Sequence, residues 1–176
     1  PILTSSAVML TALKTSGPGA WTCGAMYVLV GVLVPFLYVV RLVRKRHVTD
    51  IHVRVREERR QPLLVTLVCA GAGLLLLALG RAPGAVTAIA ATLWLQVVAI
   101  FFITLKWKIS VHTAAAAGAA MVARTLLGTT LPLLVVVPLV AWSRVCLRHH
   151  TLPQTVAGAF LGSTVFLAAG PCMHMS

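Results

Sequence analysis

The sequence predicts an all-α integral membrane protein, a bundle of six transmembrane helices with its polar site at one membrane face. Of its 176 residues, 59% are hydrophobic and only 10% are charged, and the mean hydropathy is +0.96. A soluble domain carries roughly a quarter charged residues, so this chain has too few polar side chains to cover a globule in water. Apolar runs long enough to cross ~30 Å of hydrocarbon recur along it, with polar junctions between them.

The predicted spans follow one another closely. They are residues 25–43, 62–80, 84–105, 111–127, 130–142 and 155–170. We therefore treat residues 25–176 as a single six-helix domain. Residues 1–24 are predicted to be a separate apolar, interfacial segment, because the run PILTSSAVML is too short to span and SGPG at 16–19 breaks it from the first span.

Only one junction is long, the loop RKRHVTDIHVRVREERRQ at residues 44–61. Because the chain reverses direction at each span, this loop lies on the same membrane face as the junctions 106–110 and 143–154. The polar features of the sequence are therefore predicted to converge on one face.

The few acidic residues limit the chemistry. All 3 of them, Asp50, Glu57 and Glu58, lie in the long loop, which disfavours a carboxylate cage for Mg²⁺. The four cysteines lack the C-x-x-C spacing of a zinc knuckle. The sequence thus predicts no metal and no other cofactor, and catalysis would rest on His, Arg, Lys, Ser or Cys.

The clearest chemical pattern is SRVCLRHHTLPQ, residues 143–154, at the end of a predicted span. Charge near the membrane core is costly and marks a functional site. Arg144 can hold a phosphate through two N–H groups, and a neutral His can attack phosphorus to give a phosphohistidine. Gln154 can accept a hydrogen bond from the ring of His150 across one helical turn, which would fix its tautomer. On these residues alone, both His149 and His150 are candidate nucleophiles.

Two more basic segments share this face. In KWKISVHTAAAAG, Ser110 is predicted to cap an Ala-rich helix whose N–H groups favour an anion, Lys108 adds charge, and His112 is placed to protonate a leaving oxygen. The arginines of the long loop suit the dense charge of a phosphate or diphosphate: Arg54, Arg56, Arg59 and Arg60.

These patterns together resemble the type 2 phosphatidic-acid phosphatase superfamily over about residues 25–170. The family's third motif, S-R-x5-H-x3-D, is matched with Gln in place of Asp by Ser143, Arg144, His150 and Gln154. The second motif, P-S-G-H, stands here as ISVH, which keeps its Ser and His at positions 110 and 112.

The first family motif, K-x6-R-P, can be read in two registers. In one, only Pro62 is kept, with Arg54 at the Lys position and Gln61 at the Arg position. In the other, the loop resembles an actinobacterial-type variant, D-x-H-x3-R-E-x-R, in which Arg56 and Arg59 bind phosphate. Both registers remain open at this point.

The resemblance implies metal-independent hydrolysis of a lipid phosphate or diphosphate of polyprenyl, prenyl-sugar or phosphatidate type. His150 would be the nucleophile oriented by Gln154, His112 the acid for the leaving group, and Arg144 a holder of the phosphoryl group. The other implied phosphate-binding residues are Arg54, Arg56, Arg59, Arg60, Lys108, Ser110 and Ser143. Because Gln replaces Asp, two alternatives stay open: a prenyl-diphosphate-processing phosphotransferase or lyase, and a non-enzymatic lipid-binding protein.

The charge distribution predicts partners and orientation. The net charge is +12, and basic residues between apolar runs favour phosphate at a membrane surface over nucleic acid. Of the 15 Lys and Arg residues, only Lys14, Arg81 and Arg124 lie on the face opposite the site. Since positive loops stay in the cytoplasm, we expect a bacterial inner-membrane protein whose site faces the cytoplasm, with a lipid phosphate and membrane lipids as partners.

Overall fold

The architecture is entirely helical over the residues that the computed structural model describes, which are 2–14, 19–45 and 59–173. In chain order the elements are α1 Ile2–Lys14, α2 Ala20–Val28, a π-helical turn Leu29–Leu33, α3 Val34–Arg44, α4 Arg60–Leu79, α5 Gly84–Lys106, α6 Val111–Leu127, α7 Leu131–Cys146 and α8 Leu152–Met173. The all-α prediction is confirmed, and each predicted span corresponds to one helical stretch.

Within the described residues, three stretches are long and apolar enough to cross a membrane, which does not confirm the six-span count: Ala20–Arg44, Arg60–Leu79 and Gly84–Lys106. The other predicted spans form shorter apolar helices at Val111–Leu127, Leu131–Cys146 and Leu152–Leu167. Large apolar side chains such as Leu79, Leu134 and Phe160 are exposed on the outer surface of the bundle. This arrangement fits an integral membrane protein.

The first long stretch is widened in its middle by the π-helical turn. Pro35 has no N–H, so the carbonyl of Gly31 cannot form its α-helical hydrogen bond. The backbone instead bonds over five residues, and the N–H of Val34 donates to the carbonyl of Leu29. The turn lies against α4, where a Cβ on Gly31 would be 3.4 Å from Cα of Ala70.

The N-terminal helix α1 packs against α2, α5 and α6. Its residues Ala7, Val8 and Ala12 are buried and belong to the main hydrophobic cluster. It approaches α2 closely, since a Cβ on Gly24 would be 3.0 Å from Cβ of Ala12. Part of the predicted 1–24 segment therefore contributes to the core.

Helix α6 is lined by small buried residues and makes its most extensive contact with α8. Two glycines of α8 allow this approach. A Cβ on Gly158 would lie 2.6 Å from the carbonyl oxygen of Ser110, and a Cβ on Gly162 would overlap the carbonyl oxygen of Ala114. Such spacing of small residues brings helix backbones together, and here it joins two helices of one chain.

Replacing Gly158 by alanine should destabilise the protein, because the added methyl group has no room beneath the carbonyl of Ser110. Overpacking of this kind costs ~1–3 kcal/mol, which thermal unfolding in detergent micelles would detect. Val156→Ile is the matched control, since it enlarges a side chain of the same helix that is 58% exposed. Equal melting temperatures for Gly158→Ala and the unaltered protein would contradict the close approach of α8 to α6.

Candidate functional site

Three chain junctions meet at one end of the bundle. Arg59 directly precedes α4, and its Nη1 donates to the carbonyl of Ile109 at 3.2 Å, while its Nη2 lies 3.5 Å from Nε2 of His150. The N–H of Ser110 donates to the carbonyl of Gln154 at 3.2 Å. Residues from the long loop, from the α5–α6 junction and from the α7–α8 junction therefore touch one another.

The turn after α7 folds the histidine pair back against the end of that helix. Arg148 adopts the left-handed conformation, with φ 53°, at a place where a helix end usually carries Gly. The N–H groups of His149 and His150 then both donate to the carbonyl of Arg144, at 3.0 and 3.2 Å. Both imidazoles are buried, with exposures of 9% and 7%.

The hydrogen bonds of Gln154 fix the tautomer of His150. Its Oε1 accepts from the backbone N–H of Thr151 at 3.2 Å, so this atom is an acceptor, and it lies 3.1 Å from Nδ1 of His150. Nδ1 must therefore carry the proton. In the neutral ring, the lone pair is left on Nε2, the nitrogen that faces Arg59.

The surroundings of His150 favour its neutral form. Burial, and next the charge of Arg59, lower the pKa of His150 from 6.5 to about 4; the hydrogen bond with Gln154 acts in the opposite direction, and Lys108 and His149 add to the lowering. At neutral pH, His150 is therefore an uncharged base whose lone pair points into a basic pocket.

The two loop arginines within the described residues, Arg59 and Arg60, differ in environment. Arg54 and Arg56 lie outside the described residues. Arg59 is 7% exposed and contacts His150, whereas Arg60 is exposed at the start of α4. The structure thus brings Arg59 to the histidine, and the choice between the two registers of the first motif stays a prediction.

Arg144 and Lys108 add further positive charge. Both side chains are half-buried, and Lys108 is close enough to lower the pKa of His150. Nε of Arg144 is buried and has no hydrogen-bond partner within residues 2–14, 19–45 and 59–173. A phosphate oxygen would be a suitable acceptor for this N–H group.

The hydroxyl groups of the two candidate serines have local partners. Ser110 caps α6, as the sequence predicts: its Oγ accepts from the N–H of Thr113 at 3.3 Å and lies 2.8 Å from the hydroxyl of Thr113. Oγ of Ser143 donates to the carbonyl of Val140 at 2.9 Å. Both serines therefore stabilise the helix ends that carry the site.

An apolar cavity of about 400 Å³ lies between α3, α4, α5 and α6. His112, half-buried in the first turn of α6, lines it together with Val39, Leu63 and Ile100. Farther along the helices, the lining includes Tyr27 and Leu93. A volume in this range is typical of a small-molecule or lipid site, and here His112 is the candidate site residue that lines it.

Sequence reasoning missed Gln96, which also lines this cavity. The sequence did contain a signal for it, because Gln96 is a single amide in the apolar run at 84–105. Such residues in membrane helices commonly bond to a neighbouring helix or mark a site. Among the described residues, no group of three His, Cys, Asp or Glu side chains is arranged to hold a metal ion.

In comparisons with protein-family models, curated proteins and solved structures, nothing matches this chain. The phosphatase resemblance accordingly rests on the motif residues, and the roles assigned to them remain predictions.

The pKa of His150 provides a test of the site geometry. Arg59→Gln should raise this pKa from about 4 toward the ordinary value, because a neighbouring cation is removed while burial persists. Arg60→Gln is the control, since that exposed side chain should leave the pKa unchanged. NMR titration of histidine-labelled protein in detergent would measure both, and identical titrations of His150 in the two variants would contradict the Arg59 contact.

The same shift predicts a pH dependence of stability. The folded pKa of about 4 lies below the ordinary value of 6.5, so the unfolded chain binds this proton more readily. The free energy of unfolding should therefore fall as the pH decreases from about 6.5 to about 4. His150→Asn should reduce this slope in thermal unfolding at a series of pH values, and an unchanged slope would mean that other groups cause it.

Proposed function

We propose that this protein is a metal-independent lipid phosphatase that cleaves a lipid phosphate or diphosphate through a phosphohistidine at His150. The observation that carries the proposal is the neutral His150, whose Nε2 lone pair lies beside the buried Arg59, next to an apolar cavity lined by His112. A nucleophile, cations for a phosphate and room for a lipid chain are the three requirements of such an enzyme.

Cations hold the phosphoryl group in this proposal. The guanidinium of Arg59 exchanges its contact with Nε2 for one with a phosphate oxygen, and Nε of Arg144 gains the acceptor that the described residues do not supply. Lys108 adds charge on the same side of His150. Hydrogen bonds between charged groups of this kind contribute ~1.5–3 kcal/mol each.

The reaction then has two steps. Nε2 of His150 attacks phosphorus, the bond from phosphorus to the lipid oxygen breaks, and His112 gives its proton to that oxygen. Water next attacks the phosphohistidine, His112 takes a proton from the water, and inorganic phosphate leaves with His150 restored. Gln154 keeps the proton on Nδ1 throughout, which leaves Nε2 as the reacting atom.

The proposal includes a membrane arrangement. Helices α6 and α7, with 17 and 16 residues, reach about 24–26 Å at 1.5 Å per residue and complete a six-span bundle with α8 and the three longer stretches. The cavity then lies in the hydrocarbon layer and holds the lipid chain. The excess of basic residues on the site face supports a cytoplasmic orientation in a bacterial inner membrane, with polyprenyl, prenyl-sugar or phosphatidate-type phosphates as substrates.

One observation favours a second candidate. Gln154 lacks the charge with which Asp would stabilise an imidazolium, so the same cations would suit a phosphotransferase or lyase that ionises a prenyl diphosphate without a histidine nucleophile. Lipid binding without catalysis is the remaining alternative. The phosphatase, the phosphotransferase or lyase, and the lipid-binding protein each predict a different effect of removing the imidazole of His150.

His150→Ala should abolish phosphate release from lipid phosphates, because loss of the nucleophile typically costs several orders of magnitude in rate. His149→Ala is the matched control and should retain much of the activity, since His150 holds the hydrogen bond to Gln154. Phosphate release in detergent would measure both. Full activity of His150→Ala would favour the lyase, and a phosphate trapped on His149 would contradict the assignment.

Phosphate release should continue in the presence of EDTA, because the proposed charge stabilisation comes from arginine and lysine side chains. The measurement is the rate with and without chelator on the same detergent-solubilised protein. Loss of activity with EDTA and recovery with Mg²⁺ would contradict the proposal and favour a diphosphate-processing mechanism.

A further inference from the structure

Three polar side chains that the proposed chemistry does not use line the cavity. Tyr27 and Thr66 bond to backbone carbonyls, whereas Gln96 differs. Gln96 lies in the middle of α5, is 3% exposed and lines the cavity. Its Nε2 has no hydrogen-bond partner within residues 2–14, 19–45 and 59–173. An amide in a membrane helix ordinarily bonds to a neighbouring helix, so this one lacks the usual structural explanation.

The opposite helix leaves room for this amide. A Cβ on Gly118 of α6 would lie 3.1 Å from Oε1 of Gln96 and 2.7 Å from the ring of Phe166. The amide is therefore held in a narrow space between α5, α6 and α8. This space borders the apolar cavity. A leucine or methionine at this position would fill the space without burying a polar group.

The position of Gly118 gives the depth of the amide. Gly118 follows His112 by six residues on the same helix, which corresponds to about 9 Å along its axis. Gln96 is thus separated by nearly two helical turns from the end of the cavity where, on the proposed function, the leaving oxygen lies. A hydrocarbon chain would offer this amide no acceptor.

We propose that Gln96 is a specificity-determining residue whose Nε2 donates a hydrogen bond to a carbonyl oxygen in the lipid part of the substrate. The lipid class that fits is an acyl-bearing phosphate, whose ester or amide carbonyl follows the headgroup by a few bonds. Polyprenyl phosphates have no acceptor at this depth and would leave the amide unsatisfied. This inference rests on the proposed function only for the position of the phosphate.

The test compares two lipids that differ only in the carbonyl: dioctanoylglycerol phosphate and its ether analogue, dioctylglycerol phosphate. The unaltered protein should favour the ester in kcat/KM by roughly 3- to 10-fold, the range of one neutral hydrogen bond. In Gln96→Met, the kcat/KM for the ester should fall to the value for the ether. Thr92→Val is the matched control, because its hydroxyl bonds within α5 to the carbonyl of Ala88, and it should keep the preference.

Stability separates a ligand-binding role from a structural one. Without lipid, Gln96→Met should melt at the same temperature as the unaltered protein or higher, because an unsatisfied polar group is removed. A lower melting temperature, or an ester preference that persists in Gln96→Met, would overturn the inference. Equal rates for ester and ether with the unaltered protein would do the same.

A binding measurement keeps this inference separate from the proposed function. The rise in melting temperature on adding each lipid should be larger for the ester, and this difference should disappear in Gln96→Met. If no lipid releases phosphate but the ester-selective rise remains, the phosphatase proposal fails and the role of Gln96 stands. If phosphate is released from both lipids with no difference in rate or in melting temperature, the phosphatase proposal stands and the role of Gln96 fails.

Discussion

The close approach of α8 to the first turn of α6 sets the geometry of the whole site. The carbonyl of Ser110 lies under Gly158, and the N–H of the same residue donates to the carbonyl of Gln154. Two points of contact between the same two backbones leave little freedom for α8 to slide or rotate. Because Gln154 orients His150, and His112 follows Ser110 by two residues, this contact also sets the proposed nucleophile and the proposed acid relative to each other.

The second constraint is electrostatic. Arg59 is a buried cation beside His150, and its guanidinium also bonds to the backbone carbonyl of Ile109. Positive charge buried near a membrane is costly, and a bound phosphate would add compensating negative charge. The bound anion would in turn raise the pKa of His150, so ligand binding and protonation of this ring are coupled: burial and the charge of Arg59 keep His150 neutral, and the phosphate makes a positive imidazole easier to form.

The helices could be predicted because apolar runs and polar junctions alternate so regularly. The reversal of chain direction at each span was enough to predict that the three junctions lie on one face. Other features were not predictable. The loop sequence allows two registers of the first motif, of which only one selects Arg59 over Arg60, because the loop has no periodicity that fixes its register. The turn at Arg148 lacks the Gly that would have marked it, and its left-handed conformation is maintained by two N–H groups that share one carbonyl. Gln96 was overlooked because a single amide hardly changes the hydropathy of its span.

The neutral amide of Gln154 has a consequence for the proposed two-step reaction. A neutral amide fixes the tautomer of His150 as well as a carboxylate would, but it gives no charge stabilisation to a ring that becomes positive when Nε2 bonds to phosphorus. Arg59 on the other side opposes that positive charge further until the phosphate oxygens neutralise it. The phosphohistidine should therefore have a higher free energy than the enzyme has before the first step and after the second. Its formation is slowed and its hydrolysis is accelerated, so the intermediate should not accumulate. Compared with a carboxylate, an amide at this position shifts the rate-limiting barrier toward the first step and leaves the order of bond changes unaltered.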